Sequence, residues 1–275
     1  NNFPLAQDTA VFDNTGSVTG TITINSDWNI GTFDAALRTS AMTLTTSTNT
    51  SVVYGDWKFG TGVTSSSTTG TINFVKNGTQ TITSNGVQFG CPVTINHPSG
   101  TVQLADALSL GSTRIFTLTA GTFDAATYNV TTGHFSNGST ANTLRMGSGT
   151  WTLSGNASIA AVWSLGTAPT LIAGTSTIAL SDTSSVFGRI FVGGSLYYNK
   201  LTIGGTTGTA QLIIQGSNTF GELASTKTVA HTITFPATQT TNIGKWAVTG
   251  TVGNVVTVQS STAATAFTLS IAGPA

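Results

Sequence analysis

The sequence contains nine carboxylate side chains, the groups that a glycan hydrolase or lyase uses for catalysis. Such catalysis requires two carboxylates held several ångströms apart, one of them commonly with a raised pKa. Two of the nine, Asp34 and Asp124, occupy the same place in a hexapeptide that occurs twice, so we interpret both as residues that cap a recurring turn. The full set is Asp8, Asp13, Asp27, Asp34, Asp56, Asp106, Asp124, Asp182 and Glu222.

A cation site between two of these carboxylates is a second chemical hypothesis. Asp27 and Asp56 each directly precede a tryptophan, and their sequence numbers differ by 29. In a chain that winds in coils of that length, the two side chains would stack on each other. The simpler interpretation is that both are solvated or locally hydrogen-bonded turn residues, and the glycine- and aspartate-rich nonapeptide of calcium-binding β-rolls is absent. We therefore predict no metal site.

The other residues that carry chemistry do not form a known constellation. His97, His134 and His231 have neither zinc-ligand spacing nor a nearby cysteine. No glycine loop has the form that binds phosphate. The single cysteine, Cys91, cannot form an internal disulfide, and we interpret it as a small buried hydrophobic residue. The sequence therefore predicts a protein that is not an enzyme and that holds no cofactor.

The densest aromatic stretch is the remaining candidate for ligand binding. It contains Tyr197 and Tyr198, close to Phe187 and Phe191. Adjacent side chains of an extended strand point to opposite faces, so one of the two tyrosines should face outward. Core packing accounts for most aromatic residues, but an outward tyrosine offers a surface on which a sugar ring stacks. Tyr197 and Tyr198 are therefore the candidate ligand-binding residues, with a cell-surface glycan as the ligand.

Charged residues make up only 7% of the chain, against about 25% in typical soluble proteins. The 9 basic and 9 acidic residues balance, and neither sign clusters, so no binding to nucleic acid or to an anionic membrane is expected. No uninterrupted apolar stretch is long enough to span a membrane. The chain begins without an initiator methionine or a signal sequence, so we expect a removed leader or a longer parent chain. The Thr, Ser and Gly bias predicts an extracellular or virion location.

Apolar and hydroxyl residues alternate along almost the whole chain, for example at 21–24, 42–45 and 176–180. Period-two alternation with β-branched residues indicates strands with one face toward a core. Asn-Gly and Gly-Gly pairs at 77–78, 137–138 and 193–194 provide the positive φ angles of turns. The predicted fold class is all-β.

Internal repeats select the all-β architecture. The hexapeptide Gly-Thr-Phe-Asp-Ala-Ala occurs at 31–36 and again at 121–126, a displacement of 90. Every tryptophan is followed by any residue, an apolar residue and a small one, and looser copies at 87 and 116 make the early spacings 29, 30 and 29. A strand end about every 30 residues predicts a parallel β-helix of three strands per coil, with positions i and i+2 of each signature in the core. The structural repeat residues are Trp28, Trp57, Trp151, Trp163 and Trp246, together with Asp34 and Asp124.

This architecture predicts one solenoid over residues 1–275, with roughly nine coils and a length of about 45 Å. The sequence numbers of Trp151 and Trp163 differ by only 12, so the coils of the second half should vary in length or contain a loop. A β-sandwich is the competing architecture, because it also has many short strands and turns, but it predicts no fixed step.

Two regions of the chain resemble a known class of proteins. The last quarter, from 198–205 (Tyr-Asn-Lys-Leu-Thr-Ile-Gly-Gly) through 246–254 and 256–262 to 267–270, resembles repeat segments of β-helical structural proteins of bacteriophages and of large bacterial surface proteins. The opening segment 4–13 (Pro-Leu-Ala-Gln-Asp-Thr-Ala-Val-Phe-Asp) looks like the start of such a β-helix. The resemblance implies a phage tail fibre or virion protein, or a cell-surface adhesin. It implies partners that are copies of the same fibre in a trimer. An end-to-end stack on another copy or domain is the alternative assembly that a solenoid itself predicts.

Two functional hypotheses of different classes follow. The first is a non-enzymatic structural and adhesive module whose end coils stack on another domain or another copy, since a solenoid exposes unpaired backbone at its ends. The second is a ligand-binding surface, with ice as the candidate, formed by Thr-x-Thr motifs at 21–23, 43–45, 117–119 and 232–234. Their spacings of 22, 74 and 115 are not multiples of a 30-residue coil, so we expect these threonines to be the solvent side of ordinary strands.

Overall fold

The structure of the protein is a computed structural model. It describes residues 5–15, 19–67, 69–138, 141–166, 169–181, 183–204 and 208–272. These residues form 28 strands and no helix. In chain order the strands are β1 (Thr9–Val11), β2 (Gly20–Thr23), β3 (Trp28–Ile30), β4 (Thr32–Asp34), β5 (Met42–Thr45), β6 (Thr50–Val53), β7 (Trp57–Lys58), β8 (Val63–Ser66), β9 (Thr71–Phe74), β10 (Thr79–Thr83), β11 (Val93–Leu104), β12 (Leu108–Ser109), β13 (Ile115–Asp124), β14 (Val130–Thr132), β15 (His134–Asn137), β16 (Asn142–Arg145), β17 (Thr150–Leu153), β18 (Trp163–Ser164), β19 (Thr170–Ile172), β20 (Thr177–Leu180), β21 (Arg189–Val192), β22 (Tyr197–Ile203), β23 (Leu212–Gln215), β24 (Thr219–Ser225), β25 (His231–Phe235), β26 (Thr240–Ala247), β27 (Val256–Ser260) and β28 (Thr268–Ile271).

Each coil of the chain has three faces. We number them so that Trp28 lies on face 1, Trp57 on face 2 and Phe89 on face 3. Face 1 contains β3, β6, β9, the first parts of β11 and β13, and then β15, β18, β21, β23, β25 and β27. Face 2 contains β1, β4, β7, β10, the last parts of β11 and β13, β16 and β19. In the later coils its position is taken by the first residues of β22, β24 and β26, and by β28.

Face 3 contains β2, β5 and β8, and further along β12, β14, β17, β20 and the last residues of β22, β24 and β26. The segment 87–90 bridges these two groups, because the Phe89 amide donates to the Ser109 carbonyl at 2.8 Å and the Ser65 hydroxyl donates to the Phe89 carbonyl. Face 3 is therefore one continuous surface.

Every pairing between these strands is parallel, and the coils stack as a solenoid of about 10 turns. The predicted parallel β-helix is confirmed, and the β-sandwich is excluded because it requires antiparallel ladders. The described residues contain a single antiparallel bridge, between Thr251 and Asn254, which lies outside the strands.

The predicted 30-residue coil is wrong, because successive coils are about 23 residues apart. Trp28 on face 1 pairs with Ser51, whereas Trp57 lies on face 2 and pairs with Phe33. The step from one tryptophan to the next is thus one coil plus the move to the next face. Phe89 then continues the series on face 3, so the early members of the signature advance by one face at each repeat.

The displacement of the hexapeptide has the same explanation. Its phenylalanines, Phe33 and Phe123, both lie on face 2, in β4 and β13. The ladder between them runs through β7, β10 and β11. The displacement is therefore four coils of about 23 residues.

Aromatic rings stack along the inside of the solenoid. The rings of Phe33 and Trp57 have centroids 4.2 Å apart, and those of Trp163 and Phe191 are 6.0 Å apart and nearly parallel. The rings of Trp57 and Phe89 are 6.1 Å apart. Positions i and i+2 of the signature point inward, as predicted. The wholly buried pairs are Trp57 with Phe59, Trp151 with Leu153 and Trp163 with Leu165, while Trp28 and Trp246 in the end coils are half-buried.

The corner after face 2 explains why glycine and aspartate recur. Ala126, Gly147 and Gly174 stack there with φ angles of 52°, 69° and 58°. A Cβ on Gly147 would overlap the Ala126 carbonyl oxygen, so the close approach of coils requires glycine. Asp124 accepts a hydrogen bond from the Ala126 amide at 2.8 Å, and Asp34 accepts one from the Ala36 amide at 3.0 Å. The prediction that both aspartates cap turns is confirmed.

Candidate functional site

The carboxylates of Asp27 and Asp56 accept hydrogen bonds from backbone amides of the next coil. Asp27 accepts a hydrogen bond from the Thr50 amide at 2.7 Å, and Asp56 accepts one from the Thr81 amide at 3.0 Å. Asp27 precedes face 1 and Asp56 precedes face 2, so the two do not stack as the 30-residue coil required. The stacking that a cation site between them requires is therefore wrong. The predicted hydrogen bonding is present, but each partner amide lies in the next coil and not in the same turn.

Three further aspartates also accept hydrogen bonds from backbone amides. Asp106 accepts bonds from the Ser84 and Asn85 amides, one coil below. Asp13 accepts a bond from the Thr15 amide, and this interaction lowers the pKa of its carboxyl group. Asp8 accepts a bond from the Leu5 amide, and Asp182 lies outside the described residues. Within the described ranges no group of three or more His, Cys, Asp or Glu side chains is close enough to hold a metal ion.

The histidines and the cysteine lie apart from one another in the coils. His134 contacts the Asn156 carbonyl at 3.0 Å, and His231 contacts the Val229 carbonyl and the Ser225 hydroxyl. His97 is buried at the bulge between the two parts of β11, and burial lowers its pKa. Cys91 is buried, and desolvation raises the pKa of its thiol to about 12. The interpretation of Cys91 as a buried hydrophobic residue is confirmed.

The two adjacent tyrosines point to opposite sides, as alternation predicts. Tyr197 is 52% exposed and Tyr198 only 1%. The Tyr198 hydroxyl donates to the Gly193 carbonyl at 2.7 Å and accepts from the Trp163 indole nitrogen at 3.2 Å, and burial raises its pKa. Tyr198 is therefore a core residue, and its selection as a ligand-binding residue was wrong because its hydroxyl is occupied inside the solenoid. Tyr197 remains the candidate.

Tyr197 packs against Gly221 of the next coil, where no side chain could be accommodated. A Cβ on Gly221 would lie 3.0 Å from the Tyr197 hydroxyl oxygen and 2.6 Å from the Asn199 carbonyl oxygen. The outward row that begins at Tyr197 continues through Thr219 and Asn242 in the next coils. An exposed aromatic ring is suited to stacking on a sugar ring, and the neighbouring hydroxyl and amide groups can form hydrogen bonds with the hydroxyl groups of the sugar.

Face 3 carries a second candidate surface, formed by two rows of hydroxyl side chains. The predicted coil length of 30 residues did not align these rows. In β2, β5 and β8 the outward positions form two rows in register, Thr21 with Thr43 and Thr64, and Thr23 with Thr45 and Ser66. The spacing of the first two Thr-x-Thr motifs is one coil, so the prediction that their threonines do not align is wrong. The other two motifs lie on face 1, where Thr117 stacks between Thr94 and Ser136 and Thr232 stacks on Thr257.

The hydroxyl surface of face 3 extends beyond these three coils. Through the segment 87–90 its outward row continues into small side chains on β12, β14, β17, β20 and β22. The row consists of Ser109, Thr131, Thr152, Ala179 and Thr202. At a coil spacing of about 4.8 Å, face 3 thus carries a row of mostly short methyl and hydroxyl side chains, which the longer Gln88 side chain interrupts in the bridging segment.

Charge enters face 3 only in its last coils. Lys200, Glu222 and Lys245 stack in adjacent strands. Glu222 lies 2.9 Å from the Lys200 ammonium nitrogen and 3.3 Å from that of Lys245. Hydrogen bonding to Lys200 lowers the pKa of Glu222. This ladder was not predicted, since only the register of these particular coils aligns the three residues.

Comparison of the chain with protein-family models, with curated proteins and with solved structures gave no match. The resemblance to phage and bacterial surface proteins therefore stays a prediction. Among the described residues no helix is long and apolar enough to cross a membrane.

Proposed function

We propose that this chain is a non-enzymatic structural and adhesive module of an extracellular or virion fibre, such as a phage tail fibre. The observation that carries the proposal is the uninterrupted parallel stack of about 10 turns around one aromatic core. Each inner coil is hydrogen-bonded to a coil on either side, so bending the stack would break ladders on one face. At about 4.8 Å per turn the stack is a stiff rod about 50 Å long.

The adhesive part of the proposal rests on the sides of the rod. A chain with only 7% charged residues and many short hydroxyl and amide side chains favours hydrogen bonding to neutral partners over attraction to ions. Tyr197, with its exposed ring beside Thr219 and Asn242, is the position at which a cell-surface glycan would stack.

Immunogold electron microscopy of the native source tests this proposal directly. Antibodies raised against the chain should label fibres or appendages on virions. Label on the bacterial surface instead would support the alternative, a bacterial adhesin or filament subunit, and label confined to the cell interior would contradict both. A screen for degradation of surface polysaccharides by the purified protein should give no product, and a product would contradict the non-enzymatic assignment.

The two threonine rows of face 3 favour one alternative function, binding to a flat crystalline surface such as ice. Rows spaced by about 4.8 Å between coils and by about 6.6 Å along a strand present hydroxyl and methyl groups in two dimensions. The exposed rows of β2, β5 and β8 contain five threonines and Ser66. A thermal hysteresis assay should then respond to Thr43→Lys and not to Thr117→Lys on face 1, and an absence of hysteresis in the unmodified protein would dismiss ice.

A further inference from the structure

The sequence contains three Asn-Gly pairs, and their surroundings in the fold differ. The pairs lie at 77–78, 85–86 and 137–138. In such a pair the backbone nitrogen of glycine can attack the side-chain amide carbon of asparagine, because glycine has no side chain that obstructs the approach. The reaction closes a five-membered succinimide ring. It therefore requires an accessible asparagine, a backbone that can move and a glycine N–H that is not held by an acceptor.

The first pair meets these requirements. Asn77 and Gly78 form an exposed bend at the corner between β9 on face 1 and β10 on face 2. Gly78 has a φ of 102°, and apart from its chain neighbours nothing lies within 4 Å of the position that its Cβ would occupy. The Gly78 carbonyl accepts from the Thr101 amide at 2.9 Å, but within the described ranges the Gly78 N–H has no acceptor. The attacking nitrogen of this pair is therefore unhindered.

The coil above places a hydroxyl group at the side-chain amide of Asn77. Ser99 lies in the bulge of β11, and its hydroxyl donates to the Asn77 side-chain oxygen at 3.3 Å. A donor at this oxygen makes the amide carbon more electrophilic and stabilises the oxyanion that forms when the carbon is attacked. Ser99 is itself exposed, so water also reaches the site.

The pair at 137–138 is held in place. It occupies the same corner as Asn77 and Gly78, three coils further along the stack. Asn137 is half-buried as the last residue of β15, and the Gly138 N–H donates to the Leu118 carbonyl at 2.9 Å. Attack by the Gly138 nitrogen would require this bond to break, so the pair is a matched comparison within the same chain.

The pair at 85–86 is exposed, but hydrogen bonds hold its backbone. The Gly86 N–H donates to the Ser84 hydroxyl at 3.3 Å, and the Asn85 N–H donates to the Asp106 carboxylate. The negative charge of Asp106 also opposes the formation of an oxyanion on the neighbouring amide. This pair should therefore react more slowly than Asn77 and Gly78.

We infer that Asn77 is a site of spontaneous deamidation in the folded protein. The Gly78 nitrogen forms a bond to the side-chain carbon of Asn77, and the side-chain nitrogen takes up the displaced proton and leaves as ammonia. Water then opens the succinimide at either carbonyl and gives aspartate or isoaspartate. The net reaction consumes one water and releases one ammonia, with no oxidation or reduction. The chain, which has a formal net charge of zero, thereby acquires one negative charge on its side surface.

Peptide mass spectrometry of the purified protein, incubated at mildly alkaline pH, measures all three sites in one sample. Asn77 should convert at least about tenfold faster than Asn137, because the Gly138 N–H must first lose its acceptor and the end of β15 must open. In concentrated urea, where the coils are lost, the three pairs should convert at similar rates. A folded protein in which either other pair converts as fast as Asn77 would overturn the assignment.

Variants separate the parts of the site. Asn77→Gln should abolish the fast release of ammonia, because glutamine must close a larger ring, and the matched control Asn137→Gln should leave this release unchanged. Ser99→Ala should slow conversion of Asn77 by about threefold, and Ser99→Thr, which keeps the hydroxyl group, should restore the rate. Circular dichroism melting checks that each variant is folded. Fast ammonia release that survives Asn77→Gln would contradict the site, and a rate unchanged by Ser99→Ala would contradict the part assigned to the hydroxyl group.

Discussion

Ile233 and Val258 occupy the same inward position in adjacent coils, yet Ile233 is 0% exposed and Val258 is 38% exposed. The difference between the two regions does not come from residue type, since both are β-branched and apolar. It arises because, among the described residues, Ile233 has a coil on each side and Val258 has one on a single side. A side chain in this protein is therefore buried by the neighbouring coils. How much it contributes to the stability of the fold depends on where its coil lies in the stack.

The largest expected effect separates an inner coil from the end coil. Trp57→Ala should lower the free energy of unfolding by about 3–5 kcal/mol, because the side chain is wholly buried, stacks on Phe33 and meets Phe59 edge to face. Val258→Ala should cost less than about 1 kcal/mol. Urea unfolding followed by tryptophan fluorescence and circular dichroism measures both. Equal losses would contradict the dependence on neighbouring coils, provided that the measurement is made at a concentration and salt at which the protein is monomeric.

A pair of glycines sharpens the same comparison at the level of the backbone. Gly147→Ala should cost about 3 kcal/mol, because the new Cβ would meet the Ala126 carbonyl of the coil below at a positive φ. Gly253→Ala also requires a positive φ, of 78°, but nothing lies within 4 Å of its Cβ position, so its cost should be about 1 kcal/mol. Thermal melting compares the two variants, and a larger loss for Gly253→Ala would refute the role assigned to coil contact.

Tyr197 and Tyr198 allow a buried and an exposed side chain of one strand to be compared. Tyr198→Phe should lower stability by about 2 kcal/mol, because the Trp163 indole N–H loses its acceptor inside the core. Tyr197→Phe should leave stability unchanged, and Tyr197→Ala should weaken adhesion to glycan-bearing cells without changing the melting temperature. Adhesion that survives Tyr197→Ala would remove Tyr197 as a ligand contact.

The smallest expected effect concerns the charge ladder near the end of the stack. Glu222→Gln should lower the free energy of unfolding by less than about 1 kcal/mol near pH 7, because the ion pairs are near the surface. Hydrogen bonding to Lys200 lowers the folded pKa of Glu222 below its ordinary value of 4.5, so the stabilisation is present above the unfolded pKa and is lost as pH falls through the folded pKa. Denaturation curves of wild type and variant should therefore converge in acid. A difference that grows below pH 4 would contradict this sign.

The alternation and the repeats were sufficient to predict the all-β class, the parallel β-helix and the inward side of the tryptophan signature. Asp34 and Asp124 were correctly identified as caps, since a hydrogen bond to an amide two positions along the chain is local. The length of the coil was not predicted correctly. The signatures that contain Trp28, Trp57 and Phe89 form a true series, but each member lies on a different face, and no spacing along one sequence distinguishes a coil from a coil plus one face.

That error propagated to the candidate sites. The 30-residue coil placed Asp27 and Asp56 together and the threonines of 21–23 and 43–45 apart, and both placements were wrong. Lys200, Glu222 and Lys245 were not predicted as a ladder because register, which differs from coil to coil, decides which charges meet.

The sequence by itself determined which side chains turn inward, where the chain bends, and that the protein is an all-β stack with few charges. These are local properties, set by the two-residue period of strands and by the φ angles that glycine and aspartate permit. Only the tertiary structure decided which residues lie on top of one another, and hence the two threonine rows and the charge ladder. The physical reason is that inter-coil hydrogen bonds and core packing act between residues about 23 positions apart, and loops of varying length absorb the difference.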